Sequence, residues 1–447
     1  MNWRKNAYLA YARMRGYRFP SILSQYLREY EKGMGAEAGN RALQALLEHC
    51  QRAVPYYRDL CPKVGVGEFK GRAAQEYLRL LPVLTKDDIR ANFERLQSAD
   101  LHRRKWYLNT SGGSTGEPVR LIQDAHYRDC STALGLFYNK LLGCEVGEPV
   151  VRLWGSERDL AEGTKSPKAR FFNWLTNTEW LNAFEMSPQR MRAFLERLNR
   201  WPARLIAAYA QAVYELAGFA EQEGIAVRPQ GAIFTSAGTL YPFMRGRIAK
   251  VFGCPVYNLY GSREVSIVAS ELPGRTGIWI APWSNFVEIV DDAGRPVPAG
   301  TEGDIVVTCL TNYAMPLLRY RIGDRGALMP EMPGERGVQV LRQVSGRNVD
   351  VFRRRDQTLV DGEYFTHLLY FRSWVSKFQV VQKSHEHIVF KLARLNGEPA
   401  SKELDEIAAG TRRVMGQDCR VDFELLEQLP AHPSGKHRYT ISEVANL

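Results

Sequence analysis

Three apolar runs set the strongest limit on how this chain can fold. LIAAY (205–209), GAIFTSAG (231–238) and PVYNLYG (255–261) each end on small or polar residues, with stretches of helical spacing between them. Such runs predict buried parallel strands whose ends open onto a site. Helices are expected at AHYRDCSTALGLFYNKLLG (125–143) and MRAFLERLNRW (191–201), and a strand at VVRLWG (150–155). Upstream, residues 24–60 carry helical apolar spacing, and Thr85 before Lys86-Asp87-Asp88 reads as a helix N-cap. From 284 the texture turns strand-rich, with a turn at Asp291-Asp292-Ala293-Gly294. Beyond Gly346 about a hundred residues mix strands (FQVVQ, HIVFKL, RVDFELLE) with one helix (401–416), a small α+β domain of their own.

A chain of 447 residues calls for more than one core. The boundaries read as 1–104, a helical N-terminal part of a large domain; 105–346, its core; and 347–447, a small C-terminal lid. The seven cysteines form no C-x-x-C and are expected to be free structural thiols. No apolar run approaches the length of a membrane span, and no signal-peptide core opens the chain, so a cytoplasmic protein is expected. The net charge of +11 needs a partner: nucleic acid, an acidic membrane or a polyanion such as ATP. No nucleic-acid module is present, so that partner is not expected. Residues 1–20 hold Arg4, Lys5, Arg13, Arg15 and Arg18, no acid, and interleaved aromatics. A helix packed on the body with a solvated basic face is the preferred reading, and peripheral contact with the inner membrane face the alternative.

Five motifs carry chemistry. Asn109 to Pro118 (NTSGGSTGEP) is a Ser/Thr/Gly run, read as lying between a strand and a helix, that would present N–H and hydroxyl groups to a polyphosphate. It lacks the G-K-[ST] of a Walker loop. Tyr260-Gly-Ser-Arg-Glu264 closes an apolar strand, Tyr320-Arg-Ile-Gly-Asp324 offers a carboxylate, and Gly346-Arg-Asn-Val-Asp350 falls at the domain boundary. Leu429 to Arg438 (LPAHPSGKHR) sets a lysine on a glycine-containing loop. Each has a bland alternative: Tyr260 a core residue, Glu264 a cap on a following helix, Asp324 part of a turn, Lys436 a solvated lysine.

Together, in this order, the motifs resemble those of the adenylate-forming superfamily, most closely its phenylacetate-CoA ligase and CapK-like capsular polysaccharide branch. The resemblance spans about residues 105–440. It implies a large multilayer α/β domain plus a small mobile α+β domain, with the site in the cleft between them. It implies that a carboxylate attacks the α-phosphorus of ATP, pyrophosphate leaves, and the acyl-AMP passes to a thiol such as CoA. By the same resemblance Ser111, Gly112, Gly113, Ser114, Thr115 and Gly116 wrap the β- and γ-phosphates. Ala237, Gly238 and Thr239 wall the adenine, Tyr260 stacks on it, and Asn258, Gly261 and Ser262 complete the nucleotide site. Glu264 holds Mg²⁺, Asp324 and Arg347 bind ribose, and Lys436 reaches the α-phosphate and the attacking carboxylate, while the Arg263 guanidinium either binds that phosphate or pairs with a carboxylate elsewhere.

Three positions depart from the family pattern. Glu117 stands where lysine is common, Arg263 where a small hydroxyl residue is common, and Val349 where a hinge aspartate is common, with Asp350 next. The acid pocket is expected near Trp154, Gly155, Ser156, Phe234 and Trp279 to Trp283, which slightly favours an aryl acid. The acceptor stays open: CoA, a carrier protein or an amino-sugar amine in surface-polysaccharide or secondary-metabolite assembly. A non-catalytic nucleotide-binding scaffold is the remaining alternative. The phenylacetate branch implies a homodimer.

Overall fold

The computed structural model describes residues 2–69, 73–110, 119–154, 166–183, 186, 188–238, 240–331, 337–346, 351–356, 359–369, 372, 374–394, 401–429 and 439–444. The chain divides into two compact units, one of residues 1–109 and 121–345 and one of 110–120 and 346–447.

The large unit begins with six helices: α1 (Trp3–Met14), α2 (Phe19–Glu31), α3 (Gly35–Ala53), α4 (Pro55–Lys63), α5 (Ala74–Arg79) and α6 (Lys86–Ala91). Thr85 caps α6 in a full capping box: its hydroxyl accepts from the Asp88 N–H while the Asp88 carboxylate accepts from the Thr85 N–H. Next comes a two-stranded sheet of β1 (Trp106–Thr110) and β2 (Arg120–Asp124), which runs into α7 (Ala125–Leu141). The Ser/Thr/Gly run therefore joins two paired strands, not a strand and a helix. RLIQD is buried from Leu121 to Asp124, and the helix starts only where Asp124 accepts from the Tyr127 N–H. Residues 111–118 themselves lie outside the described residues.

The main sheet has eleven strands: β3 (Val150–Trp154), β4 (Thr178–Asn182), β5 (Leu205–Tyr209), β6 (Ile233–Ser236), β7 (Val256–Ser262), β8 (Ser266–Ser270), β9 (Ile278–Ile280), β10 (Asn285–Val290), β11 (Gly303–Cys309), β12 (Tyr320–Leu328) and β13 (Val340–Gly346). Their order is β10-β11-β12-β13-β9-β8-β7-β6-β5-β3-β4. One half, β4-β3-β5-β6-β7, is parallel, and LIAAY is buried at every residue. Its crossovers are α8 (Pro167–Thr176), α9 (Pro188–Arg200), α10 (Ala210–Gln222) and α11 (Pro242–Phe252). Leu195, Leu198, Val213, Leu216, Ile248 and Phe252 pack there against Ile206 and Ile233. From β7 the ladder turns antiparallel through β8 and β9 to β13, and β10, β11 and β12 are antiparallel in turn.

A second core lies under the N-terminal helices. Trp279 and Trp283 are 4% and 5% exposed. Trp283 stacks on Tyr26 at 4.9 Å, and Phe137 meets both tryptophans. Gly39 of α3 packs so closely on Pro282 that a Cβ would sit 2.5 Å from its carbonyl oxygen. The tryptophans therefore serve this core and do not line an acid pocket. Phe234 is likewise packed among Leu142, Cys144, Val150 and Leu205.

The small unit has its own core. β16 (Val375–Ser384) pairs antiparallel with β17 (His387–Arg394), and β18 (Arg420–Leu426) and β19 (Thr440–Ser442) flank them in the order β18-β17-β16-β19. A two-stranded sheet, β14 (Val351–Arg353) with β15 (Leu359–Asp361), precedes α12 (Glu363–Leu369), and α13 (Ser401–Met415) follows β17. Phe352, Phe365, Phe390 and Ile407 are fully buried within it.

Candidate active site

β12 alternates with period two, so Tyr320, Ile322 and Asp324 share its buried face. An acid thus occupies a position where the pattern calls for an apolar residue. On β7, Val256, Asn258, Tyr260 and Ser262 likewise share one face, with a bulge between Tyr260 and Gly261. Three strands separate β7 from β12, which in a flat sheet is about 19 Å. Tyr260 Oη nevertheless donates to Asp324 Oδ2 at 2.8 Å. The antiparallel half must therefore curl, bringing β7 and β12 face to face.

The arrangement is reciprocal. Tyr260 of β7 reaches Asp324, and Tyr320 of β12 donates back to Glu264 Oε1 at 3.3 Å. Glu264 stands in the turn between β7 and β8, which continues as a strand, so it caps no helix. Gly261 is required here: a Cβ would lie 2.5 Å from the Ser266 carbonyl oxygen. Both carboxylates are buried, Glu264 at 4% and Asp324 at 7% exposed. Glu264 forms no ion pair among the described residues. A buried acid with a neutral hydroxyl partner, as at Glu264, leaves negative charge that suits a cation, and the Asp324 carboxylate suits ribose hydroxyls. A single carboxylate is enough for Mg²⁺ that takes its other ligands from phosphate and water. No cluster of three or more His, Cys, Asp or Glu suited to a metal occurs among the described residues. Ser262 Oγ is buried beside this turn with no hydrogen-bond partner.

A residue the sequence reading missed ties this turn to the Ser/Thr/Gly run. Gln123, 1% exposed on β2, donates through Nε2 to the Arg263 carbonyl oxygen at 2.9 Å. Its Oε1 accepts from Asn109 Nδ2 on β1, also at 2.9 Å. The signal was an amide within the otherwise apolar LIQ of a short strand. At the ends of the parallel strands, Ala237 and Gly238 turn the chain after β6 with φ of 52° and 150°. The Trp154 and Tyr209 rings lie 4.7 Å apart at the ends of β3 and β5. Asn258 is fixed through its backbone N–H, which donates to Glu271 Oε2 at 2.7 Å.

The structure thus brings together Tyr260, Glu264, Tyr320, Asp324, the Arg263 backbone and, through Gln123, Asn109. Ser111 to Gly116, Glu117, Gly155, Ser156, Thr239, Arg347, Val349, Asp350 and Lys436 lie outside the described residues. All seven cysteines are free and buried. Burial pushes the thiols of Cys130, Cys144 and Cys254 up to about 12, so they are poor nucleophiles.

A family model described as the CapK C-terminal domain matches residues 352–443. Protein CapK of Staphylococcus aureus is 23% identical over 414 residues, covering 91% of this chain and 89% of that protein. Phenylacetate-coenzyme A ligase of Escherichia coli is 23% identical, covering 77% of this chain and 78% of that one. Among solved structures, 2-hydroxyisobutyryl-CoA ligase in complex with 2-HIB-AMP and CoA in the thioesterification state aligns with a TM-score of 0.61. It is 17% identical and covers 91% of this chain and 89% of its own. Together with the eleven-stranded sheet, these likenesses support placing the chain in the adenylate-forming superfamily, on the branch of CapK and phenylacetate-CoA ligase.

Proposed function

We propose that this protein activates a carboxylic acid as its acyl-AMP and then passes the acyl group to a thiol such as CoA. The observation that carries this is the reciprocal pairing of Tyr260 with Asp324 and Tyr320 with Glu264. It holds two buried carboxylates, each four residues from the aromatic partner of the other. In the first half-reaction a carboxylate oxygen of the acid attacks the α-phosphorus of ATP and pyrophosphate leaves. In the second, the thiol attacks the acyl carbon and AMP leaves. Two anions must meet in the first step, so the protein's work is alignment and charge neutralisation, not proton abstraction.

Asp324 and Arg347 orient the ribose, and Tyr260, placed by its bond to Asp324, presents its ring to the adenine. Glu264 would hold Mg²⁺, which would supply charge neutralisation at the phosphates. Residues 111–116 cradle the β- and γ-phosphates, and Gln123 fixes the strands that flank them relative to Arg263. Arg263 and Lys436 balance charge at the α-phosphate. The acid is bounded by Trp154 and Tyr209, whose paired rings favour a flat, aryl substrate.

The test is pyrophosphate release from Mg²⁺·ATP across a panel of aryl and short aliphatic acids, with K436A and E264Q beside the wild type. Acid-dependent release that falls at least ~100-fold in both variants is the expected result. No acid-dependent release, together with no ATP binding by the wild type, overturns the proposal. Acyl transfer to CoA against transfer to amines then identifies the acceptor, and acylated amine without acyl-CoA would replace the thiol half of the reading.

A further inference from the structure

α1 and α8 meet through aromatic rings. Tyr8 and Tyr11 approach Phe172 edge-on at 6.3 and 5.0 Å, forming the half-buried side of the contact. The outer side is different. Trp3 and Trp174 lie 5.7 Å apart, Phe171 and Trp174 5.9 Å, and the Arg4 guanidinium sits over both indoles at 5.0 and 5.2 Å. These rings face solvent: Trp3 is 54% exposed, Phe171 49% and Trp174 55%. Met14, on the same stripe of α1 as Trp3 and Tyr11, is 80% exposed. A cluster of large apolar side chains left in water marks an interaction surface.

The charged residues of the two helices are of one sign. Neither α1 nor α8 contains an acid, and residues 1–28 contain none. Lys5 is held by Glu145 at 2.5 Å. Arg13, Arg15, Arg18, Lys168 and Arg170 are exposed and form no ion pair among the described residues. Half of this face, α8, was not visible in the basic N-terminal segment alone.

We propose that this face docks on the surface of a bilayer containing anionic phospholipid. The indoles and Phe171 enter the boundary between headgroups and acyl chains, where a ring with one polar edge is most stable. The arginines and lysines meet the lipid phosphates. Two features favour a membrane over a second copy of the chain. An isologous contact would set five uncompensated cations against five, and nothing acidic on either helix fixes a register. No helix among the described residues is long and apolar enough to cross a membrane, so the contact is peripheral. The proposal is independent of the reaction the protein performs.

Co-sedimentation of the full chain with vesicles tests it. Vesicles of equal parts phosphatidylcholine and phosphatidylglycerol are compared with phosphatidylcholine alone at about 0.1 M salt. The expected result is retention on the anionic vesicles only, with a blue shift of tryptophan emission. W3A/F171A/W174A and, separately, the exposed charge reversal K168E/R170E should each weaken retention roughly tenfold or more. The charge reversal touches no core residue, so it remains informative if the aromatic variant folds poorly. Equal retention on neutral vesicles, no retention at all, or retention unchanged by K168E/R170E would each overturn the proposal. So would a wild-type dimer that these substitutions convert to monomer, since that assigns the face to a second copy.

Discussion

Two sets of carboxylates in the large unit, all but Asp100 buried, are held in opposite ways. Glu288 on β10 faces Arg319, with both side chains 3% exposed and Nε 3.0 Å from Oε2. The same guanidinium also donates to the Leu81 and Gly294 carbonyl oxygens. Asp100 and Asp124 share Arg104 at 2.8 and 3.0 Å. Glu264 and Asp324 each accept from a tyrosine hydroxyl. Arginine-held acids are complete within the fold and lock segments together. A tyrosine hydroxyl orients a carboxylate without itself neutralising it, and an acid held this way is one that a substrate and its cation can use. Arg319 and Tyr320 are neighbours in sequence, so one stretch of chain serves both ends of the contrast.

The largest effect should separate the two sets. R319A strands the Glu288 charge in the interior and should cost about 3–5 kcal/mol of stability. D324N keeps an acceptor for Tyr260 and should change stability by less than about 1 kcal/mol while sharply weakening ATP binding. Thermal or urea unfolding beside a nucleotide titration reads both. If D324N destabilises the fold as much as R319A, Asp324 is a structural acid and the contrast collapses.

Much of this contrast was hidden in the sequence. The parallel strands were legible because LIAAY, IFTS and VYNLY are short, apolar and uninterrupted, and the Thr85 cap because its partner Asp88 is three residues on. Tyr260, Glu264, Tyr320 and Asp324 stood out as motif residues. Their reciprocal pairing did not, because it depends on curling a sheet across three intervening strands, which no local pattern encodes. Trp279 and Trp283 read as pocket aromatics because nothing near them in sequence reveals that α2 and α7 cover them. The Ser/Thr/Gly run read as opening a helix because β2 is only five residues long and merges into α7 at Asp124. The exposure of Trp174 was likewise invisible, since RFFNWL looks like core until its outer face is seen to lack a neighbour.

A smaller effect sharpens the comparison from the tyrosine side. Y260F removes the 2.8 Å donor from Asp324 and should cost about 0.5–1.5 kcal/mol of stability, a typical net hydrogen-bond contribution. Its ring remains for stacking, so the expected signature is weaker binding of nucleotides that carry a ribose, with adenine recognition retained. A titration with ATP and with free adenine separates the two. Equal loss for both would mean that the hydroxyl positions the ring and not the carboxylate.

The smallest effect lies at Asp100 and depends on pH. Two hydrogen bonds from Arg104, with another from the Ser98 hydroxyl, hold its carboxyl well below the ordinary carboxylate range. A group whose folded pKa is depressed stabilises the native state above its unfolded pKa of about 4 and loses that contribution as pH falls toward the folded value. The margin of wild type over D100N should therefore be flat from about pH 5 upward and shrink below about pH 4. Asp100 is about a third exposed, so solvent and salt screen the pair and the margin should narrow further at high ionic strength. Urea unfolding of both proteins across that pH range measures it. A margin that stays constant down to about pH 3 would show that Arg104 is held by Asp124 alone, the more buried of its two acids, and that Asp100 only decorates the pair.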